Sequence, residues 1–194
     1  MVKLLLKIFL LVLLIGCSEP SLPKLTAPAT ILAFGDSLTA GVGASTGKDY
    51  PSVLAQMSGL EVINAGVSGE TTAEGLRRFE SQLVESKPQL VILLEGGNDI
   101  LRNHDLKQTE HNLSKMIAIA QRLDIAVLLV AVPQKNMFLT PAPLYQQLAE
   151  KYQIPLLEEV LSELLRQPGL KSDSIHLNDA GYQRLAETIY AELH

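Results

Sequence analysis

The chain has 194 residues, 47% of them apolar and 19% charged, with a formal net charge of −5 and one cysteine. That length and apolar content suit one folded domain with an ample core and exclude a disordered chain. The acidic balance without a Lys/Arg cluster excludes a nucleic-acid footprint, and the single cysteine excludes an internal disulfide framework and a Cys-rich zinc site.

The chain opens on Lys3 and Lys7, which flank and interrupt an apolar run ending Leu14-Ile15-Gly16-Cys17. The run falls short of the about 20 apolar residues that span a bilayer. A positive start and an apolar middle are the marks of a secretory signal peptide. Its end resembles a bacterial lipobox, in which a small residue precedes a cysteine that is lipidated and becomes the new N-terminus. We therefore expect a signal peptide over 1–16 and a lipid anchor on Cys17 that holds the protein to a membrane. Ser18 follows where an aspartate would suggest inner-membrane retention. By that resemblance the address is the outer membrane, facing the periplasm. The competing reading is an ordinary cleaved signal with an incidental cysteine. Glu19 to Ala29 holds Pro20, Pro23 and Pro28 among small and polar residues. Residues 17–29 read as a tether, which leaves 30–194 as the domain.

Apolar runs and amphipathic stretches then alternate. Ile31–Phe34, Val62–Ile63, Leu90–Leu94 and Ile125–Val132 have the Val/Ile/Leu content of buried parallel strands, with Pro155–Leu157 a weaker fifth. Pro51 suits a helix first turn, Val53, Leu54 and Met57 share a face, and Gly59 stops that helix. Thr71-x-x-Glu74 fits a capping box, followed by Leu76, Phe79, Leu83 and Val84. Leu113, Met116, Ile117 and Ala120 repeat the helical spacing, as do Leu144, Tyr145, Leu148 and Tyr152. Asn178 can cap a last helix whose Tyr182, Leu185, Ala186, Ile189 and Leu193 face inward. This alternation predicts an α/β fold: a doubly wound, flavodoxin-like three-layer α/β/α domain on a five-stranded parallel sheet of order 2-1-3-4-5.

In that order the turns after strands one, two and three emerge side by side, about 4.8 Å apart. They read Gly35-Asp36-Ser37, Asn64-Ala-Gly-Val-Ser-Gly-Glu-Thr71 and Glu95-Gly-Gly-Asn-Asp99. Just before the last helix comes Asp173-Ser-Ile-His176. Each alone is ordinary turn chemistry, since Gly, Asp, Ser and Asn cap helices and tolerate unusual backbone angles. Together they hold what acyl transfer needs. Ser37 offers a hydroxyl, His176 a base, and Asp173 a carboxylate to orient the ring. The backbone amide of Gly69 and the side-chain amide of Asn98 are uncharged donors for an oxyanion. The difficulty is distance, because strand five lies roughly 14 Å from strand one at sheet spacing. The loop Gln167 to Leu177 must therefore travel back.

These four blocks make the chain resemble the SGNH (GDSL-type) hydrolases over essentially all of Thr30 to Leu193. The branch it looks closest to is that of the bacterial thioesterases, lysophospholipases and arylesterases. Gly35–Leu38 matches the first block, Ser68-Gly69 the second, Gly96–Asp99 the third and Asp173-x-x-His176 the last. The resemblance implies Ser37 as nucleophile, His176 as base and Asp173 as its orienter. It also implies an oxyanion hole made by Ser37 N–H, Gly69 N–H and Asn98 Nδ2. Leu177 departs from the proline that close relatives often carry.

Gly43-Ala-Ser-Thr-Gly47 spells the elbow motif of another hydrolase fold, but no strand precedes Ser45. His104, His111 and His194 read as solvated, and no His or Cys pair has metal spacing, so neither metal nor cofactor is expected. Asp36 and Asp99 read as turn-holding groups. Glu95 reads either as a polar pocket residue or as a buried carboxylate. Ile100, Leu101, Met137, Phe138 and Leu139 are candidates to line an acyl pocket or to pack their loops. The expected partner is a small acyl ester or lipid substrate, met by a monomer. Two rivals remain: a carbohydrate O-deacetylase on the same framework, and a non-catalytic lipoprotein that binds acyl or glycan ligands.

Overall fold

Strand and helix alternate along a wholly parallel five-stranded sheet in the computed structural model, which describes residues 20–194. The expected signal peptide and Cys17 lie outside the described residues. The strands are β1 (Thr30–Gly35), β2 (Glu61–Gly66), β3 (Leu90–Leu94), β4 (Ala126–Val130) and β5 (Leu156–Leu157). Their order is β2-β1-β3-β4-β5, as the sequence predicts. The helices are α1 (Ser37–Ala40), α2 (Tyr50–Ser58), α3 (Thr72–Ser86), α4 (Gly97–Leu101), α5 (Leu106–Arg122), α6 (Pro143–Tyr152), α7 (Val160–Arg166) and α8 (Asp179–Glu192). The neighbour pairs α3–α5 and α5–α6 form one helical layer, and α2–α8 and α7–α8 form the other.

Every residue of β3 is buried, as befits a strand covered on both faces. β2 is an edge strand and half open, so its apolar content is low. Phe34 of β1 meets Phe79 of α3 edge-to-face, with ring centroids 4.9 Å apart. Such a pair adds about 0.5–1.5 kcal/mol beyond area burial. Leu113, Met116, Ile117 and Ala120 are all buried, as their spacing requires. Val84 is the exception on α3 and lies exposed. The buried stripe there is Gly75, Phe79 and Leu83, four residues apart, and Val84 sits about 100° further round the helix.

Caps follow the expected chemistry. The Glu74 carboxylate accepts from the backbone N–H and the hydroxyl of Thr71, at 2.9 and 2.7 Å. Asn178 Oδ1 accepts from Gly181 N–H at 3.0 Å and starts α8. Three short helices, α1, α4 and α7, went unread because they are only four to seven residues long. Within the stretch read as a tether, Leu22 and Leu25 pack on the core.

Candidate active site

β1 ends at Gly35 because the chain must turn where it passes the end of β3. A Cβ at that position would overlap the Leu94 carbonyl oxygen, so only glycine fits. Asp36 caps α1 by accepting from Leu38 N–H at 3.0 Å, which sets Ser37 in the first turn at the carboxyl end of the sheet. That end is where open α/β sheets bind ligands.

The return of the last block is explained by α8, which packs on α2 beside the β1–β2 half of the sheet. The segment leading into it folds back as a small hairpin. Lys171 pairs with Leu177, and Ser172 N–H donates to His176 O at 3.0 Å. Tyr182 Oη donates to Val42 O at 2.7 Å and ties α8 to the turn after α1. His176 Nε2 therefore sits 3.0 Å from Ser37 Oγ. His176 Nδ1 lies 2.7 Å from Asp173 Oδ2, while Asp173 Oδ1 accepts from Ile175 and His176 N–H, each at 2.8 Å. The imidazole is 14% exposed and the Asp173 side chain 52%. Slight burial alone would raise the Asp173 carboxyl. The His176 ring and the two N–H donors outweigh it and bring the group down to about 2.

Asn98 lies in α4 and Gly69 in the loop after β2. Asn98 Nδ2 donates to Glu70 O at 2.9 Å and has Asp36 Oδ2 at 3.4 Å. Gly69 holds φ +81°, a left-handed geometry that favours glycine, and its carbonyl accepts from Arg102 Nη2 at 2.9 Å. Among the described residues the N–H groups of Ser37 and Gly69 donate to no protein acceptor.

Ser37, Asn98 and His176 line one cleft of about 320 Å³, walled mainly by apolar side chains. Ile100, Leu101, Met137 and Leu139 are in its wall, as one of the two readings expected. Phe138 is not; it stands 66% exposed beside the 87% exposed Met137. Leu38, Val132, Leu165 and Ile175 complete the apolar wall. Leu165 was missed, although Leu161, Leu164 and Leu165 carry the helical spacing that marks α7. Gly69 lines a separate polar groove next to the cleft, with Ser68, Glu70, Arg77 and Arg78.

The remaining polar groups sort by burial. Asp99 accepts from Thr72 N–H and Thr72 Oγ1 at 2.8 and 2.7 Å, so it joins α4 to the start of α3. Glu95 is fully buried, and one of its oxygens has no partner among the described residues. Burial, with Asp36 and Glu70 nearby, pushes its carboxyl well above the usual range. It is thus a buried carboxyl and not a pocket residue. Burial likewise pushes Asp36 up to about 6, against the pull of Leu38 N–H. Ser45 is exposed, with its N–H on Asp179 Oδ1 at 2.7 Å and no strand before it.

A family profile described as GDSL-like Lipase/Acylhydrolase matches residues 33–184. The chain belongs to that family. Among the relatives of this GDSL-like chain, thioesterase 1/protease 1/lysophospholipase L1 of Escherichia coli strain K12 is 30% identical over 178 residues, spanning 88% of this chain and 86% of that one. An arylesterase of Vibrio mimicus is 31% identical over 181 residues, spanning 86% and 89%. The crystal structure of TesA superposes with a TM-score of 0.76 at 29% identity, over 84% of this chain and 97% of that one. The GDSL-like chain is accordingly an SGNH-type esterase, a serine hydrolase of acyl esters.

Proposed function

We propose that Ser37 is the nucleophile of this esterase, His176 its general base and Asp173 the group that holds the imidazole in its working tautomer. Ser37 Oγ attacks the acyl carbon as His176 Nε2 takes its proton. The oxyanion forms among Ser37 N–H, Gly69 N–H and Asn98 Nδ2. His176 then gives its proton to the leaving alcohol, and the acyl group stays on Ser37. Water, deprotonated by the same imidazole, attacks the acyl carbon; the bond from that carbon to Ser37 Oγ breaks, the imidazolium returns its proton to Oγ, and the acid leaves. The observation that carries this reading is the continuous contact from Asp173 through His176 to Ser37, 2.7 and 3.0 Å, at the wall of an apolar cleft.

The cleft also argues for the acyl side of the substrate. Its walls suit an alkyl chain better than a sugar, whose hydroxyls need more polar partners than Gln134, Asn136, Ser174 and a Lys135 already engaged with Leu101 O supply. On one common leaving group, kcat/KM should rise from acetyl to longer acyl esters. The rise should be about fourfold for each methylene that enters the cleft, given about 0.8 kcal/mol per buried CH₂. Acetylated sugars hydrolysed faster than butyryl and longer esters would favour the O-deacetylase instead. Thioesters and lysophospholipids, which the E. coli relative's name mentions, fit the same acyl requirement.

We also propose that the chain is exported and held to a membrane through lipid on Cys17, with the periplasmic face of the outer membrane as its address. The positive start, the apolar run and the Gly16-Cys17 ending support that reading. Several acyl chains bind firmly at about 0.8 kcal/mol per buried CH₂. Cys17→Ser should move the protein from the membrane to the soluble fraction with its esterase activity intact. Continued membrane retention of that variant would remove the anchor from Cys17.

A further inference from the structure

We infer that Glu70 and Arg78 are a positioning pair for the oxyanion hole, acting through the Glu70 carbonyl on the side chain of Asn98. The inference rests on the oxyanion role proposed for Asn98 and goes on to name what orients that residue.

A carboxamide has two faces to offer, and only its NH₂ end can stabilise an oxyanion. At Asn98 the choice is made by neighbours. The NH₂ group faces the Glu70 carbonyl at 2.9 Å and Asp36 Oδ2 at 3.4 Å. Turning the amide over would set its oxygen against two acceptors. One N–H is thus consumed by Glu70 O, and that bond fixes the direction of the other. Where Glu70 O stands therefore decides where the catalytic donor points.

Glu70 cannot drift, because its side chain is clamped. Its carboxylate is nearly buried and receives Arg78 Nε at 2.8 and 3.0 Å and Arg78 Nη2 as well. Arg78 is itself fixed on three sides. Nη2 also donates to Ala65 O at 2.9 Å, at the end of β2. Gly35 O lies 3.4 Å from the same nitrogen, at the end of β1. The guanidinium stacks over Phe34, 3.9 Å from the ring centroid. One arginine on α3 thereby bolts the Gly69-Glu70 loop to the two strands that lead to Ser37 and to the loop itself. A planar fork does this and an ammonium does not, since Arg offers several N–H vectors in one rigid plane. The motif reading of the sequence passes over both residues, as neither touches the reacting atoms.

The test is a double-mutant cycle read at kcat and KM with a soluble chromogenic ester, with Tm measured for every variant. Asn98→Ala should cost about 10²–10³ in kcat, the scale of a lost oxyanion donor. Glu70→Gln keeps the side chain's size but loses the charged clamp. It should lower kcat about tenfold and leave KM within about twofold, because a misaimed donor harms less than a missing one. In the Asn98→Ala background, Glu70→Gln should cost almost nothing further, since its effect runs through the absent amide. Arg78→Lys is the second variant and is held to the same outcomes, should Glu70→Gln fold poorly. Losses that multiply in the double variant would overturn the inference and leave the oxyanion role of Asn98 standing. An unchanged kcat in folded Glu70→Gln and Arg78→Lys would do the same. A normal kcat in Asn98→Ala would remove the oxyanion role and the positioning pair together.

Discussion

Replacing Ser37 by alanine should abolish ester turnover and labelling by a fluorophosphonate, with the fold intact. The cleft, the imidazole and the proposed oxyanion donors all survive the change, so substrate should still bind. What is lost is the oxygen proposed to form the acyl-enzyme. Deleting the nucleophile of a serine hydrolase costs on the order of 10⁶ in kcat, and what persists is the contribution of binding and the oxyanion hole. Ser37 Oγ makes its contact with His176 Nε2 and is only partly buried, so no core packing should be lost. The Tm of the variant is then expected to stay near the parent's. Turnover and labelling that continued near the parent's level would move the nucleophile elsewhere. Ser45 would be the first serine to test, although it lies at the surface with a carboxylate, Asp179, and no imidazole beside it.

How far the site could be read from the sequence depends on which physics set each residue's place. The strand order was legible because strand and helix alternate, because β3 and β4 are uninterrupted runs of Val, Ile, Leu and Ala, and because β1 holds the apolar run Ile31–Phe34. The proposed triad was legible as residue types, but its closure was not. Asp173 and His176 follow β5, three places from β1. What brings them back is α8 packing on α2 and the hydrogen bond from Tyr182 to Val42 O. Those contacts join residues about 140 apart in sequence, and no local pattern announces them. Phe138 shows the same limit at the cleft. Its loop has the right composition for an acyl wall, yet Leu139 turns in, Met137 borders the cleft while largely exposed, and Phe138 lies outside the wall. Glu70 and Arg78 were illegible for another reason. Beyond their pairing with each other, Arg78 meets backbone carbonyls and an aromatic face and Glu70 meets Asn98 through its own carbonyl, contacts that no short sequence pattern announces.

Asp173→Asn probes the least sheltered member of the proposed triad. The wild-type carboxylate divides its work. Oδ1 accepts two backbone N–H groups that shape the turn, and Oδ2 faces His176 Nδ1 at 2.7 Å. Asparagine can keep the first task, since its oxygen can still accept from Ile175 and His176 N–H. The turn, and with it the ring's place beside Ser37, should hold. The second task is inverted. An NH₂ now faces Nδ1, so Nδ1 must accept and the ring proton moves to Nε2. An Nε2–H pointing at Ser37 Oγ cannot take the serine's proton. A fall in kcat of about 10⁴ is the measure for a fully buried aspartate in that role. Asp173 is half exposed, and water can share its duty, so the loss here should be nearer 10³, with KM little changed. The wild-type enzyme should show no activity limb from Asp173 at ordinary pH, because the group ionises at about 2. Its stabilising effect on the fold is present above about pH 4, the unfolded value, and is lost as pH falls toward 2. Substitution by asparagine should remove that acid-side dependence and, with it, the neutral-pH stability the charge supplies, a loss that solvent screening at this half-exposed side chain keeps small. A kcat within a few-fold of the parent's would mean that the imidazole finds its tautomer without this carboxylate. Ser37 and His176 would then work as a dyad, with the hairpin between Lys171 and Leu177 supplying the orientation.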